Sequence, residues 1–257
     1  MRTILLSTAI AVALTAGASA ADLPYRAPAA APAYVAAPTW TGLYVGANVG
    51  YSAGRSPISS TTTLVGVPPT VFLAGTSDTS VNGAIGGGQI GYNWQFNPNW
   101  LLGIEGDFDW TGQRGSVTTL DFLQTSTAEA KLDWLATIRG RFGYITGNSL
   151  WYVTGGWADG RRELNTTYAF GTPAIFAGSS SVKSTKSGWT VGGGVETKLW
   201  NSNWSAKLEY LHVDLGTLST ATPVFSVPPV GAAVFNTATT AKFRDEIIRV
   251  GLNYKIW

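Results

Sequence analysis

No cysteine occurs in this chain, so no disulfide can staple it, and it does not belong to the small, disulfide-framed secreted class. Histidine occurs once, at His212, and methionine once, at Met1. Haem iron takes an axial His, Met, Cys or Tyr, so this inventory disfavours a tight haem site, and no cofactor is read from it. Charge is scarce too: Asp, Glu, Lys and Arg are 12% of the residues, about half the fraction usual in soluble domains. The 17 basic and 15 acidic side chains nearly balance and form no basic run. A nucleic-acid partner is excluded on that ground.

The N-terminal segment predicts export. Arg2 gives a positive start, Ile4 to Ala16 is mostly apolar, and the small residues Ala18-Ser19-Ala20 follow. That is the layout of a cleavable signal over residues 1–20. Beyond it no run of about eighteen apolar residues occurs, so no membrane helix is expected. What is abundant is glycine (31), tryptophan (11) and tyrosine (10). Residues 21–39 are rich in Ala and Pro without periodicity and read as a periplasmic arm. Residues 40–257 read as the folded part.

From Trp40 onward, segments with period-two apolar alternation are separated by segments rich in Ser, Thr, Gly and Pro. The alternating segments predict eight strands. Leu43, Val45, Ala47, Val49 and Tyr51 share one face of the first, against Tyr44, Gly46, Asn48 and Gly50. The third sets Trp100, Leu102, Ile104, Phe108 and Trp110 against Glu105, Asp107 and Asp109. The fourth sets Leu132, Trp134, Ala136, Ile138, Phe142 and Tyr144 against Asp133, Thr137, Arg139 and Arg141. Connections near Asn97-Pro98-Asn99, Thr146-Gly147-Asn148 and Asn201-Ser202-Asn203 are short, whereas 53–80, 111–130, 160–184 and 215–242 read as long loops. An even strand number with short turns at one end and long loops at the other predicts an all-β fold. The β-barrel so predicted is closed, antiparallel, up-and-down and transmembrane.

Periodicity alone does not say which face meets lipid; the aromatics do. Trp94, Trp100, Tyr144, Trp151, Trp204 and Tyr254 lie at the short-turn ends, and Trp110, Trp134, Trp157, Trp189 and Tyr210 at the long-loop ends. Two such girdles are expected where apolar rings sit in lipid and polar tips in headgroups. Ten residues of tilted strand between them cover roughly 23 Å, close to the roughly 25 Å apolar band of outer-membrane barrels.

The other face carries acids Glu105, Asp107, Asp109, Asp133, Glu196, Glu209 and Asp245, and bases Lys131, Arg139, Arg141, Lys198, Lys207, Arg249 and Lys255. An eight-stranded barrel is just wide enough for side chains to fill, and unpaired buried charges are costly. A salt-bridged, largely closed lumen is expected. Charges lining a permeation path are the alternative.

These features resemble a known family. The stretches Trp40–Tyr51 (WTGLYVGANVGY), Gly86–Gln95 (GGGQIGYNWQ), Gly103–Phe108 (GIEGDF), Gly188–Glu196 (GWTVGGGVE), Trp204–Leu211 (WSAKLEYL) and Arg249–Lys255 (RVGLNYK) are similar to the eight-stranded, opacity-like barrels of alphaproteobacteria, known as outer-membrane immunogenic or haemin-binding porin-family proteins. The resemblance implies an outer-membrane location, an antigenic or structural surface role and, in some members, haemin binding. It supplies no catalytic residue. Two departures stand out: Ile256 stands in the phase where the family ends on an aromatic, with Trp257 following, and His212 stands where the family often has Tyr. The terminal aromatic implies recognition by the barrel-assembly machinery, and the girdles imply contact with lipid and lipopolysaccharide.

Three further features invite chemistry. His212 shares a face with Asp214 near the outer rim, the minimum for a base and its orienting acid in a rim hydrolase. The runs Gly86–Gly88 and Gly192–Gly194 lack the following Lys and helix of a phosphate loop, so bends or bulges are expected there. The carboxylates alternate along strands opposite an equal number of bases, a pattern unlike a metal cluster. The apolar islands Val71-Phe72-Leu73 and Val224-Phe225 in the loops are left open between surface contact and plain solvation.

Overall fold

The computed structural model describes residues 39–64, 70–121, 124–171, 174, 176–200, 202–226 and 234–256. The expected signal segment, residues 21–38 of the arm, and Trp257 lie outside them. The side chains of Val71-Phe72-Leu73 and Val224-Phe225 are also outside the described set.

Eight strands follow in order: β1 (Gly42–Leu64), β2 (Thr70–Asn97), β3 (Trp100–Asp121), β4 (Gln124–Thr146), β5 (Ser149–Phe170), β6 (Phe176–Lys198), β7 (Trp204–Ser226) and β8 (Val234–Lys255). Each pairs antiparallel with the next, and β8 closes on β1 through pairs such as Val45↔Tyr254 and Val49↔Val250. The sheet is a closed barrel.

The short turns stand as expected, with Gly147 at φ 57 between β4 and β5, where a side chain would be strained. The long loops do not. Most of 53–80, 111–130, 160–184 and 215–242 is strand, so each strand runs 22 to 28 residues. Threonine explains the difference. Its polarity reads as loop, yet its branched Cβ favours the pleated backbone. Inside the barrel, hydroxyls pair across it: Thr62 with Thr237 (2.9 Å), Thr166 with Thr222 (3.0 Å), Tyr168 with Thr239 (2.6 Å).

The wall is not uniform along its height. Bulges interrupt β3 between Trp110 and Gln113, β4 between Leu132 and Trp134, and β7 between Asp214 and Gly216. All three fall at the outer girdle. On β4, Leu135, Thr137, Arg139 and Arg141 face inward below the bulge, and Leu132, Ala130 and Ala128 above it. One inserted residue has reversed the parity. Gly216, at φ 73, accommodates the β7 bulge. Above this level, no pair joins β2 to β3 beyond Asn82↔Arg114, and none joins β6 to β7 between Ala177 and Trp189, among the described residues.

Candidate functional site

The interior is layered. At the short-turn end Trp40, Leu101, Ile145, Leu150 and Tyr152 form a small apolar cluster. At the outer end a larger one contains Ile58, Val81, Ile85, Leu132, Leu135, Leu164, Leu211, Leu215, Phe243 and Ile247. Between them lie nine buried charged side chains: Glu105, Asp107, Asp109, Arg139, Arg141, Glu196, Lys207, Glu209 and Arg249.

Strand alternation aims these groups inward, and closure brings distant strands together. Arg139 on β4 donates to Glu105 Oε1 (2.6 Å) and Asp107 Oδ2 (2.7 Å) on β3, and to Glu209 Oε1 (3.0 Å) on β7. Arg249 on β8 reaches Glu209 Oε2 (2.7 Å), Asp109 Oδ2 (2.8 Å) and Asp107 Oδ2 (3.1 Å). Lys207 Nζ donates to both oxygens of Glu105 (3.0 and 3.1 Å). Arg141 binds Glu196 Oε2 (2.7 Å) and the Tyr44 hydroxyl (2.6 Å), and lies 4.0 Å from the Tyr152 ring centroid. A planar guanidinium with five donors suits such multiple acceptors. Removing one partner of so buried a set leaves an uncompensated charge, which costs about 3–5 kcal/mol.

Four charged positions expected in the lumen belong elsewhere. Asp133 is the residue inserted by the β4 bulge; it is exposed and stands 3.7 Å from Arg161 on the outer surface. The same bulge turns Leu132 inward, against the expected outward phase. Lys131 faces out and pairs with Glu129 (3.2 Å). Lys198 is the last residue of β6, one inward step below Glu196, and its Nζ donates to the Thr39 carbonyl (3.1 Å) and lies 4.9 Å from the Trp40 ring centroid. Lys255 shares that carbonyl (3.0 Å). Both lysines sit at the short-turn mouth because their strands end there. Asp245 is buried, but above the network, where Ser52 donates to it (3.3 Å).

Sequence reading missed the neutral members. Tyr44 and Tyr152 donate to Glu105 Oε2 (2.7 Å) and Glu209 Oε1 (2.9 Å). Their signal was an aromatic on the polar face of its strand. Arg162 was missed too: it is buried, stacks 4.7 Å from the Phe243 ring centroid and donates to the Gly216 carbonyl (3.1 Å). It follows Arg161 directly, and only the strand phase above the bulge says which of the two turns inward.

On the outer wall, Trp94, Trp100, Tyr144, Trp151, Trp204 and Tyr254 stand exposed at the short-turn end, and Trp110, Trp157, Trp189 and Tyr210 at the other. Trp134 is half-buried, stacked on Phe108 at 5.6 Å. Between the girdles Leu102, Ile104, Ile138, Val153, Leu208, Val250 and Leu252 are exposed. Apolar side chains outside and ion pairs inside are the arrangement of a barrel whose outer solvent is lipid.

A family model described as an outer membrane protein beta-barrel domain matches residues 8–255. The chain belongs to this outer-membrane barrel family. It is 35% identical over 262 residues to the 31 kDa outer-membrane immunogenic protein of Brucella melitensis, covering 99% of this chain and 100% of that one. It is 26% identical over 258 residues to the 25 kDa outer-membrane immunogenic protein of Brucella abortus, covering 99% and 98%. Among solved structures, the outer membrane protein OprG of Pseudomonas aeruginosa aligns with 84% of this chain and 97% of its own, at 13% identity and a TM-score of 0.45. The protein is located in the outer membrane, so the girdle with short turns is periplasmic and the long hairpins are extracellular.

At the extracellular rim His212 does not meet Asp214. Its Nδ1 lies 2.8 Å from Glu246 Oε1, and Glu246 also accepts from the Tyr210 hydroxyl. Asp214 is engaged by Arg244 (3.2 Å), Lys242 (3.4 Å) and the Gly216 amide (2.8 Å). The candidate His–Asp pair does not form, because the register of β7 on β8 places Glu246 directly opposite His212. Farther out, hydrogen bonds from Asn165 and then Lys183 hold the Glu163 carboxyl below its ordinary range.

Proposed function

We propose that this protein is a non-enzymatic structural and display barrel whose lumen is closed to solutes. The observation that carries the reading is the cross-section at membrane height. Nine charged side chains from β3, β4, β6, β7 and β8 are buried there in one ion-pair network. A path for solutes would break several of these pairs at once. Apolar clusters above and below the network support the same reading, since a dry apolar layer opposes hydrated ions.

The protein then serves the envelope in two ways. Its girdles and aliphatic band anchor it in lipid and in lipopolysaccharide, and its long hairpins present a Ser- and Thr-rich surface outside the cell. The relatives are named as immunogenic, and the same exposed hairpins would be the antigenic surface here. The last strand, with Val250, Leu252 and Tyr254 facing outward, is the segment offered to the barrel-assembly machinery.

Planar-bilayer recording of the purified, refolded protein tests the closed lumen. Little or no stable current is expected. Reproducible conductance steps would replace this reading with that of a narrow pore.

A further inference from the structure

The extracellular wall is left open at one seam. β2 and β3 pair from the periplasmic turn up to Asn82↔Arg114, and their backbones still touch at Ser80 and Gly115, where a side chain on the glycine would not fit. Beyond that level no pair joins them among the described residues. Each nonetheless continues as strand, held on its other side. β1 holds β2 through pairs such as Ser59↔Thr76 and Thr61↔Ala74, and β4 holds β3 through Val117↔Ala128 and Thr119↔Ser126. The edges that face each other, residues 74–79 of β2 and 116–121 of β3, therefore carry backbone N–H and C=O groups at alternate residues with no ladder partner. The interval between β6 and β7 is different. Those strands rejoin above it at Ala177↔Phe225, and Ser180 Oγ and Thr220 Oγ1 bridge it at 3.0 Å.

Where the two strands part lies a cavity of about 80 Å³, bounded by Ser77 on β2, Val117 and Thr119 on β3, and Gln124 and Ala128 on β4. That is the room of about two or three waters, well short of the roughly 150 Å³ that admits a benzene ring. A side chain the size of Ala, Ser, Thr or Val fits it, and an aromatic one does not. The lining mixes hydroxyls and one amide with short apolar groups, and no charged side chain is among the described residues that bound it.

We propose that this slit is a strand-docking site. An extended, uncharged segment of a partner polypeptide outside the cell pairs its backbone with the free edges and sets one small side chain into the cavity. A row of N–H and C=O groups at strand spacing is matched by another strand, and pockets for alternate side chains give such pairing its selectivity. A saccharide would use the hydroxyls and the Gln124 amide but would leave most of the edge groups unpaired. The lining refuses a charged segment and the volume refuses an aromatic one. The proposal rests on the extracellular placing of the hairpins and stands whether or not the lumen conducts.

Selection from a peptide pool tests it. Refolded protein in detergent micelles is mixed with end-capped hexapeptides built from Ala, Ser, Thr and Val alone, and in parallel with neutral oligosaccharides; mass spectrometry reads what is retained. Retention of a subset of the peptides is expected. The tightest binder is then remade with N-methyl groups on one alternate set of its amides or on the other. At least one of the two forms should bind about tenfold more weakly or worse, since it loses backbone hydrogen bonds. Ala128→Leu fills the cavity and should weaken the unmethylated peptide similarly, while the folded band in heat-modifiable gel migration persists. Retention of no peptide overturns the proposal, and retention of oligosaccharides in its place would assign the cavity to sugars. Binding that neither methylated form weakens also overturns it, because contact would then run through side chains alone. Should Ala128→Leu fail to fold, the methylated peptides still decide.

Discussion

Below the extracellular girdle the barrel interior is ionic, with Arg139 bridging three carboxylates and Arg249 four. Above it the interior is built like that of a soluble barrel. Leu132, Leu164, Leu211, Leu215 and Phe243 pack inside, and Arg161, Lys183 and Arg244 stand exposed outside. The same wall changes its rule because its outer solvent changes. In lipid, an apolar outer face gains nothing over an apolar lumen, so polarity inside is what separates the two faces and fixes the register. In water, apolar side chains are driven inward. The bulges of β4 and β7 sit at the level where one rule gives way to the other, each inserting one residue and reversing which parity points in.

This contrast can be broken most severely in the ionic half. Arg249→Leu strands Asp107, Asp109 and Glu209 together, and a loss of about 3–5 kcal/mol or more is expected. The folded band seen by heat-modifiable gel migration should disappear or melt at markedly lower urea. A variant as stable as wild type would mean that the network does not hold the lower barrel. In the apolar half, Leu215→Ala removes a buried side chain at the β7 bulge. A cost of about 2–5 kcal/mol follows if that region is packed as a soluble core; equilibrium unfolding in urea measures it, and a loss under about 1 kcal/mol would deny the packing. The smallest effect belongs to the outer surface. In the Glu163–Lys183 pair (3.2 Å) the lysine is exposed and the glutamate partly buried, and pairs in contact with solvent contribute about 0–1 kcal/mol. Because its folded-state carboxyl is held below the ordinary range, its contribution is present above the unfolded carboxylate pKa and is lost as pH falls through the lower folded value. Glu163→Gln should therefore differ slightly from wild type at neutral pH and not at all in strong acid; a difference well above about 1 kcal/mol would show that the pair is not a solvent-screened surface contact.

Much of this was legible in the residues. Alternation located the membrane-height part of the wall, since Leu102, Ile104, Val250 and Leu252 follow one parity without interruption. The paired aromatics marked its two edges. The extracellular strands were illegible because Ser and Thr serve loops and strands alike, and only pairing across the sheet tells them apart. Asp133 was misplaced because parity was carried straight through a bulge that no local feature of the sequence announces.

The sequence by itself determined the number of strands and, at membrane height, their outward faces and the nine charged residues that point inward there, because these depend on local periodicity and composition. Which acid meets which base was decided only by tertiary structure. Arg249 and Asp107 stand 142 positions apart, and only the closure of β8 on β1, with its particular register, brings them within a hydrogen bond.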